Sequence, residues 1–154
     1  MNEITGATHQ RVEVYIGARF SRRQYIKEKI VPVFKKYNMR ITSRWIFYGG
    51  SFYDSNISYG KSAWNIPSLR FLEAREMAER DFMDIDKADL FLLLGESTNP
   101  GRHRGRLVEF GYAIAKGKDI CILGPLENVF SFHRGITYLR DIEDLENFLK
   151  DYRR

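Results

Sequence analysis

The chain has 154 residues, of which 44% are hydrophobic and 14% aromatic, and this composition indicates one globular domain with its own core. Lys and Arg number 25 against 20 Asp and Glu, so the net charge of +5 favours an anionic ligand without indicating a nucleic-acid-binding protein. The single cysteine, Cys121, excludes a disulfide framework and a cysteine metal cluster, and its place in a predicted strand indicates core packing.

Residues 1–10 show no periodicity and are predicted to be a tail, which leaves residues 11–154 as the domain. No apolar run approaches the roughly 18 residues of a membrane-spanning helix, and the first residues lack a signal-peptide pattern. We therefore expect a soluble, cytoplasmic protein without a membrane partner.

The first strand is predicted at residues 12–17, where apolar and polar side chains alternate up to a glycine. Ser21 is predicted to cap the helix that follows, with Gln24 completing a capping box, and Pro32 should kink that helix. The turn before the helix holds Arg19 as well as Ser21. A cation and a hydroxyl at a helix N-terminus are typical of anion binding.

Residues 40–47 are predicted to be a strand because β-branched and aromatic side chains dominate them. Residues 48–65 are rich in Gly, Ser, Asn and Tyr, and they predict a long loop that either covers a substrate or forms an interface. A helix is predicted from about residue 67 to 86, with most of its carboxylates forming a solvated face. Its apolar residues are predicted to face inward: Leu69, Leu72, Met77 and Met83.

A strand, a loop, a helix and a second strand are predicted between residues 89 and 124. The apolar runs at 90–94 and 120–123 are short and continuous, as in strands buried on both faces of a parallel sheet, and residues 105–117 have helical spacing. This βαβ unit predicts an α/β fold, namely a single-domain, doubly wound (Rossmann- or flavodoxin-like), mainly parallel sheet of about five strands with flanking helices.

The carboxyl end of the chain contains a short apolar segment at residues 128–133 and a last predicted helix. Asp141 should cap this helix. Its apolar stripe is predicted to pack on the sheet and consists of Ile142, Leu145, Phe148, Leu149 and Tyr152.

The loop before the helix at 105–117 is the best candidate for a ligand site, because ligands of such sheets collect where strands end and helices begin. The segment at this place, residues 95–109, contains Gly101 and Gly105 and four basic residues, which are Arg102, His103, Arg104 and Arg106. Glu109 is predicted to lie in the first helical turn, facing this loop and ionised by the helix dipole, as a nucleophile beside an anion site. The three histidines are far apart in sequence, so we predict no metal and no cofactor.

Three segments together resemble the nucleoside 2-deoxyribosyltransferases and the related nucleotide N-glycosidases. They are Val14-Tyr-Ile-Gly-Ala18, Asp81 placed eight residues before Asp89, and Val108-Glu-Phe-Gly-Tyr-Ala-Ile-Ala-Lys-Gly117. Residues 43–45 and 124–130 add a likeness to a branch that is common among phage and bacterial sequences. The resemblance spans most of residues 11–149.

This resemblance implies an enzyme in which Glu109 attacks C1′ of the sugar and forms a covalent glycosyl intermediate. Tyr15 would orient Glu109, and Asp81 would protonate the departing base. Such residue types suit the reaction because a carboxylate stabilises an oxocarbenium-like transition state and a nucleobase leaves poorly unless it is protonated. Relatives are dimers or larger, which implies a homodimer or higher homo-oligomer here.

One departure bears on the substrate. Six residues before the nucleophile, the relatives that use free nucleosides have an aspartate and the monophosphate hydrolases have a serine, whereas this chain has His103 between Arg102 and Arg104. These groups would attract phosphate, which favours a nucleoside 5′-monophosphate or another phosphorylated ribosyl ligand. The phosphate and sugar would then contact Gly17, Arg19, Ser21, Arg102, His103 and Gly105, and the base would contact Arg44 and Trp45.

The sequence leaves open the base, ribose or deoxyribose, and hydrolysis or transfer. A noncatalytic protein that binds nucleotide signals could use the same pocket, because sheets of this class serve sensing as well as catalysis. A nucleic-acid-binding module, with Trp45 and Trp64 as stacking surfaces, is less favoured.

Overall fold

The computed structural model describes residues 10–47, 68–97 and 104–152. Within these ranges five strands form one parallel sheet in the order β2-β1-β3-β4-β5. The strands are β1 (Glu13–Gly17), β2 (Arg40–Ile41), β3 (Leu90–Leu94), β4 (Asp119–Leu123) and β5 (Ile136–Leu139). This order is doubly wound with its switch point between β1 and β3, which confirms the predicted fold class.

In the described ranges three helical segments connect strands, and a fourth follows β5. The first, α1, runs through four consecutive pieces: Phe20–Arg22, Arg23–Tyr25, Ile26–Ile30 and Val31–Lys36. The others are α2 (Ser68–Lys87), α3 (Gly105–Ala115) and α4 (Ile142–Asp151), and short 3-10 turns lie at Arg44–Ile46 and Val129–Phe132. Right-handed crossovers place α2 and α3 on one face of the sheet and α1 on the other. Among the described helices, none combines the length and the hydropathy that a membrane span requires.

The central strands are buried on both faces, as their continuous apolar runs predict. Every residue of β3 is buried. This strand pairs with β1 on one side, where Phe91 lies opposite Tyr15, and with β4 on the other side, where Leu92 lies opposite Cys121. Cys121 is fully buried and burial raises the pKa of its thiol to about 12, so the predicted core role is confirmed.

The predicted strand at 40–47 is wrong beyond Ile41. The Ser43 hydroxyl accepts a hydrogen bond from the Ile16 backbone N–H at 2.5 Å, and the Trp45 indole N–H donates to the Ile16 carbonyl at 2.9 Å. These two side chains form hydrogen bonds with the backbone of β1 that a longer β2 would otherwise form. The chain can therefore turn at Arg44–Ile46.

The predicted capping box at Ser21 is also wrong. Ser21 lies inside the first turn of α1, no side chain caps that turn, and Gln24 instead donates to Glu28 at 2.6 Å. The irregularity expected at Pro32 takes the form of a π-helical stretch, Ile26–Ile30, just before it. A widened turn gives room to the proline ring, which would clash with the carbonyl four residues earlier in a regular helix.

The last two helices agree with their predicted bounds, but the buried face of α2 does not. Leu69, Leu72 and Met83 are 68%, 50% and 53% exposed in the single chain, so their predicted inward position is wrong. The buried residues of α2 lie at its carboxyl end and include a charged one, Asp84, beside Ile85. The cap on α4 is confirmed, because the Asp141 side chain accepts a hydrogen bond from the Asp144 N–H at 2.9 Å.

Candidate active site

The candidate site lies at the carboxyl edge of β1, on the face that α3 covers. Its floor is Gly17, where a Cβ atom would come within 2.7 Å of the Phe91 ring and 3.4 Å of Oε2 of Glu109. The first of these distances is too short for any real Cβ. Only glycine therefore lets the aromatic ring approach the backbone this closely, and the carboxyl group of Glu109 lies beside it.

Tyr15 is the second residue of the site. Tyr15 precedes Gly17 by two residues, so both lie on the same face of β1. The fully buried Tyr15 ring stacks on the Phe91 ring, with the ring centroids 5.4 Å apart and the ring planes 14° from parallel. An interaction with the Tyr15 hydroxyl lowers the pKa of Glu109. The structure thus brings together two of the three residues predicted to be catalytic.

Glu109 itself is half-buried and lies in the second turn of α3, because the helix begins at Gly105. Its pKa is raised to about 8, chiefly by burial and then by the negative charge of Asp81, against the opposing effects of Tyr15 and Arg106. The expectation of a first-turn carboxylate kept ionised by the helix dipole is therefore wrong for the free protein. The raised pKa of this carboxyl group favours its protonated form.

Asp81 is the third predicted catalytic residue and comes from α2. Burial raises its pKa to about 6, with Asp84 adding to the rise and Arg80 and Arg44 opposing it. Its Oδ1 atom is buried and accepts no hydrogen bond from any residue in the described ranges, although Nε of Arg80 lies 3.8 Å away. Asp81 is therefore not a solvated helix acid, and it forms with Glu109 a pair of carboxyl groups that influence each other's titration.

Asp84 is a residue of the site that the sequence analysis missed. Its side chain is 2% exposed and accepts hydrogen bonds from the backbone N–H of Arg44 at 3.1 Å and from its Nε at 2.8 Å. This ion pair fixes α2 against the turn after β2, one helical turn from Asp81. The only sequence feature that could have indicated its role is its position three residues after Asp81, which places both side chains on one side of the helix.

The two predicted base contacts lie in this turn. The Arg44 guanidinium is bound to Asp84, and the Trp45 ring is 4% exposed with its N–H used by Ile16. Their contact with a base stays a prediction, while their visible role is to hold the edge of β1 and the carboxyl end of α2 together.

The predicted phosphate and sugar residues are distributed over two turns at this edge of the sheet. Arg19 is half-buried in the turn between β1 and α1, Ser21 is exposed in the first turn of α1, and the exposed Gly105 begins α3. Arg102 and His103 lie outside the described residues.

The guanidinium of Arg106 is bound by a carboxylate of the protein itself, whereas its sequence position among the cations suggested an anionic ligand. It forms an ion pair with Glu127, and the two side chains are only 1% and 5% exposed. Its positive charge also lowers the pKa of Glu109. Glu127 belongs to the segment after β4 and was not singled out as a site residue.

The strand order and the pair of carboxyl groups at its switch point define an α/β protein with an acidic site on a flavodoxin-like sheet. Two solved structures that share this fold are the CMP N-glycosidase of Clostridium botulinum and the 2-deoxyribosyltransferase of the psychrotolerant bacterium Bacillus psychrosaccharolyticus. The first has a TM-score of 0.54 and 17% identity over 90% of this chain and 95% of that chain. The second has a TM-score of 0.58 and 15% identity over 88% of this chain and 91% of that chain.

No protein-family model matches the chain, and no curated protein matches it with significant sequence similarity. At 15–17% identity, the likeness to the two solved structures shows a shared fold over almost the whole of each chain. It is the fold that the resemblance in sequence implied.

The raised pKa of Glu109 predicts a pH-dependent effect of Glu109→Gln on stability. Because the pKa rises from 4.5 to about 8 on folding, the stability that this group contributes is present below pH 4.5 and is lost as the pH rises to about 8. A glutamine at this position does not titrate, so the variant keeps its stability over this pH range. Its melting temperature should therefore rise relative to that of the wild type, by about 2–4 °C for each kcal/mol of difference in the free energy of unfolding. This difference should level off above pH 8.

Thermal unfolding of both proteins from pH 4 to 9 measures this gain, with Asp144→Asn as the control. Arg140 lowers the pKa of Asp144 to about 2, so Asp144 is ionised throughout and its replacement should have a constant effect from pH 5 to 9. A difference between wild type and Glu109→Gln that is equally constant would contradict the buried position of Glu109.

Proposed function

We propose that this protein is an enzyme that cleaves the N-glycosidic bond of a nucleoside or deoxynucleoside, through a covalent glycosyl intermediate on Glu109. The observation that carries the proposal is the pair of carboxyl groups, Glu109 and Asp81, both with raised pKa values at the switch point of the sheet. Pairs of titratable groups held at different pKa values are typical of acid and base assignments in active sites. A fold shared with a CMP N-glycosidase and a 2-deoxyribosyltransferase supports it.

In the first step the ionised carboxylate of Glu109 forms a bond to C1′ as the bond from C1′ to the base nitrogen breaks. The electron pair of the broken bond goes to the base, which takes a proton from Asp81. In the second step water, or a second base, attacks C1′ and releases the carboxylate of Glu109, while the carboxylate of Asp81 takes the proton. The Tyr15 hydroxyl stabilises the ionised form of Glu109 and orients it.

The two carboxyl groups titrate as a pair. Between about pH 6 and pH 8 this pair holds one proton, and the reaction needs that proton on Asp81. A bound nucleoside would favour this arrangement, because its base accepts a hydrogen bond from a protonated Asp81. The carboxylate of Glu109 would then stabilise the positive charge that develops on the sugar as the bond to the base breaks.

A 5′-monophosphate is the proposed substrate form. The turn with Arg19 and Ser21 and the start of α3 at Gly105 both lie at the carboxyl edge of the sheet, where helix N-termini favour anions. Arg102 and His103 would complete the phosphate site, with Gly17 beneath the sugar and with Arg44 and Trp45 toward the base.

A panel of nucleosides and their 5′-monophosphates tests the reaction, with chromatography of the released base as the measurement. The wild type should release a base and Glu109→Gln should not, because the amide keeps the shape and loses the charge that stabilises C1′. The monophosphate should exceed its nucleoside in kcat/KM by a factor on the order of 100, which two or three charge-assisted hydrogen bonds can provide. Glu146→Gln is the matched control, because Glu146 pairs with Lys36 on α1 and should be dispensable. Release of base by Glu109→Gln at the wild-type rate would exclude Glu109 as the nucleophile.

Asp81→Asn should slow the release of natural bases far more than the release of a leaving group that departs without protonation. A general acid contributes about 10²–10⁴-fold only where the leaving group needs the proton. Rates on a natural nucleotide and on an analogue with an activated leaving group measure this difference. Asp86→Asn, on the same helix and paired with Lys116 at the surface, should slow neither substrate. Equal slowing of both substrates by Asp81→Asn would assign a structural role to Asp81.

The pH dependence of kcat/KM should be bell-shaped with a maximum near pH 7. Below about pH 6 both carboxyl groups are protonated and no nucleophile is present, and above about pH 8 both are ionised and no acid is present. In Asp81→Asn the bell should become a single rise with pH. The midpoint of this rise should lie below pH 8, because Asp81 no longer raises the pKa of Glu109. A bell-shaped profile that survives in Asp81→Asn would mean that another group supplies the proton.

A further inference from the structure

The buried ion pair between Arg106 and Glu127 connects the start of α3 to the segment after β4. Both side chains are almost completely removed from solvent, and the guanidinium donates to Oε1 of Glu127. Removing one partner from such a pair leaves an uncompensated buried charge, which is strongly unfavourable. Arg106 therefore needs a carboxylate, whichever one is within reach.

A second carboxylate is within the electrostatic reach of Arg106. Glu109 follows it by three residues on α3, a spacing that places the two side chains on the same side of a helix. The positive charge of Arg106 already lowers the pKa of Glu109. Two carboxylates thus compete for one guanidinium, and Glu127 is the one that binds it.

We propose that Glu127 is a positioning residue, which holds the Arg106 guanidinium in the buried pair and so keeps it from binding the carboxylate of Glu109. The inference rests on the proposed reaction, because a guanidinium fork bound to both oxygens of Glu109 would occupy the atoms that must attack C1′. Glu127 touches no reacting atom in this scheme and acts through Arg106.

The groups that act on the titration of Glu109 come from three elements. Asp81 on α2 raises its pKa, whereas Tyr15 on β1 and Arg106 on α3 lower it. Glu127 offsets the charge of Arg106. In Glu127→Gln the shape of the side chain is kept and its charge is lost, so Arg106 should turn to Glu109 and lower the pKa of Glu109 by about one unit or more.

The first measurement needs no catalysis: the carboxyl group of Glu109 is titrated in the free protein by ¹³C NMR, with its signal assigned from Glu109→Gln. Glu127→Gln should lower the midpoint from its wild-type value. The double variant Arg106→Met with Glu127→Gln removes both charges, so it should raise the midpoint instead. This double variant leaves no uncompensated charge and gives the test even where Glu127→Gln alone fails to fold.

The second measurement is the pH profile of kcat/KM for base release. Its alkaline limb should move with the Glu109 midpoint, downward in Glu127→Gln and upward in the double variant, while kcat falls in Glu127→Gln and KM changes little. Glu96→Gln is the matched control. Glu96 lies at the same edge of the sheet and forms an ion pair with Arg22 at 3.5 Å, so this variant should leave the midpoint of Glu109 unchanged.

Two results would overturn the inference: a Glu109 midpoint in Glu127→Gln that equals the wild-type one, or a midpoint in the double variant that does not rise above the wild-type one. Opposite shifts support it. Opposite shifts in a protein that releases no base would support the pairing role of Glu127 and overturn the proposed reaction.

Discussion

The site depends on the close packing of the Phe91 ring against the backbone of Gly17, with the Glu109 carboxyl group beside them. A parallel strand buried on both faces offers little room for an aromatic ring, and the missing side chain at Gly17 supplies that room. The Phe91 ring fills this space and stacks on Tyr15, so packing fixes the direction of the Tyr15 hydroxyl. The carboxyl group of Glu109 is thereby held beside Tyr15, and burial is the main reason that its pKa is raised.

Hydrogen bonds at the edge of β1 also help to position Asp81. Ser43 and Trp45 satisfy the backbone of Ile16 with their side chains, which ends β2 after two residues and turns the chain. That turn presents the backbone N–H and the guanidinium of Arg44 to Asp84, and the pair holds the carboxyl end of α2. The position of one carboxyl group of the site therefore depends on hydrogen bonds made at the opposite side of β1.

Sequence patterns predicted the parts of this structure that follow from periodicity. Residues 90–94 and 105–115 are the clearest cases, because apolar runs closed by glycine and helical spacing leave few alternatives. The strand expected at 40–47 failed because side chains of Ser43 and Trp45 replaced the ladder, which no local pattern reports. The inward face expected for Leu69 and Leu72 failed because the first turns of α2 have few described neighbours in the chain, and periodicity cannot tell which neighbours a helix has.

The charge state of the site was beyond the sequence for a related reason. The helix dipole suggested an ionised Glu109, but it is a weak effect that is limited to the first turn, and burial outweighs it in the second. Each carboxyl group of the site also lies three residues from a charged residue that forms an ion pair of its own. Asp81 lies three residues from Asp84, and Glu109 lies three residues from Arg106. Because Arg44 and Glu127 complete these two pairs, the opposite charges partly cancel at the site. Burial and the mutual repulsion of Asp81 and Glu109 then dominate, and the two carboxyl groups share a proton near neutral pH.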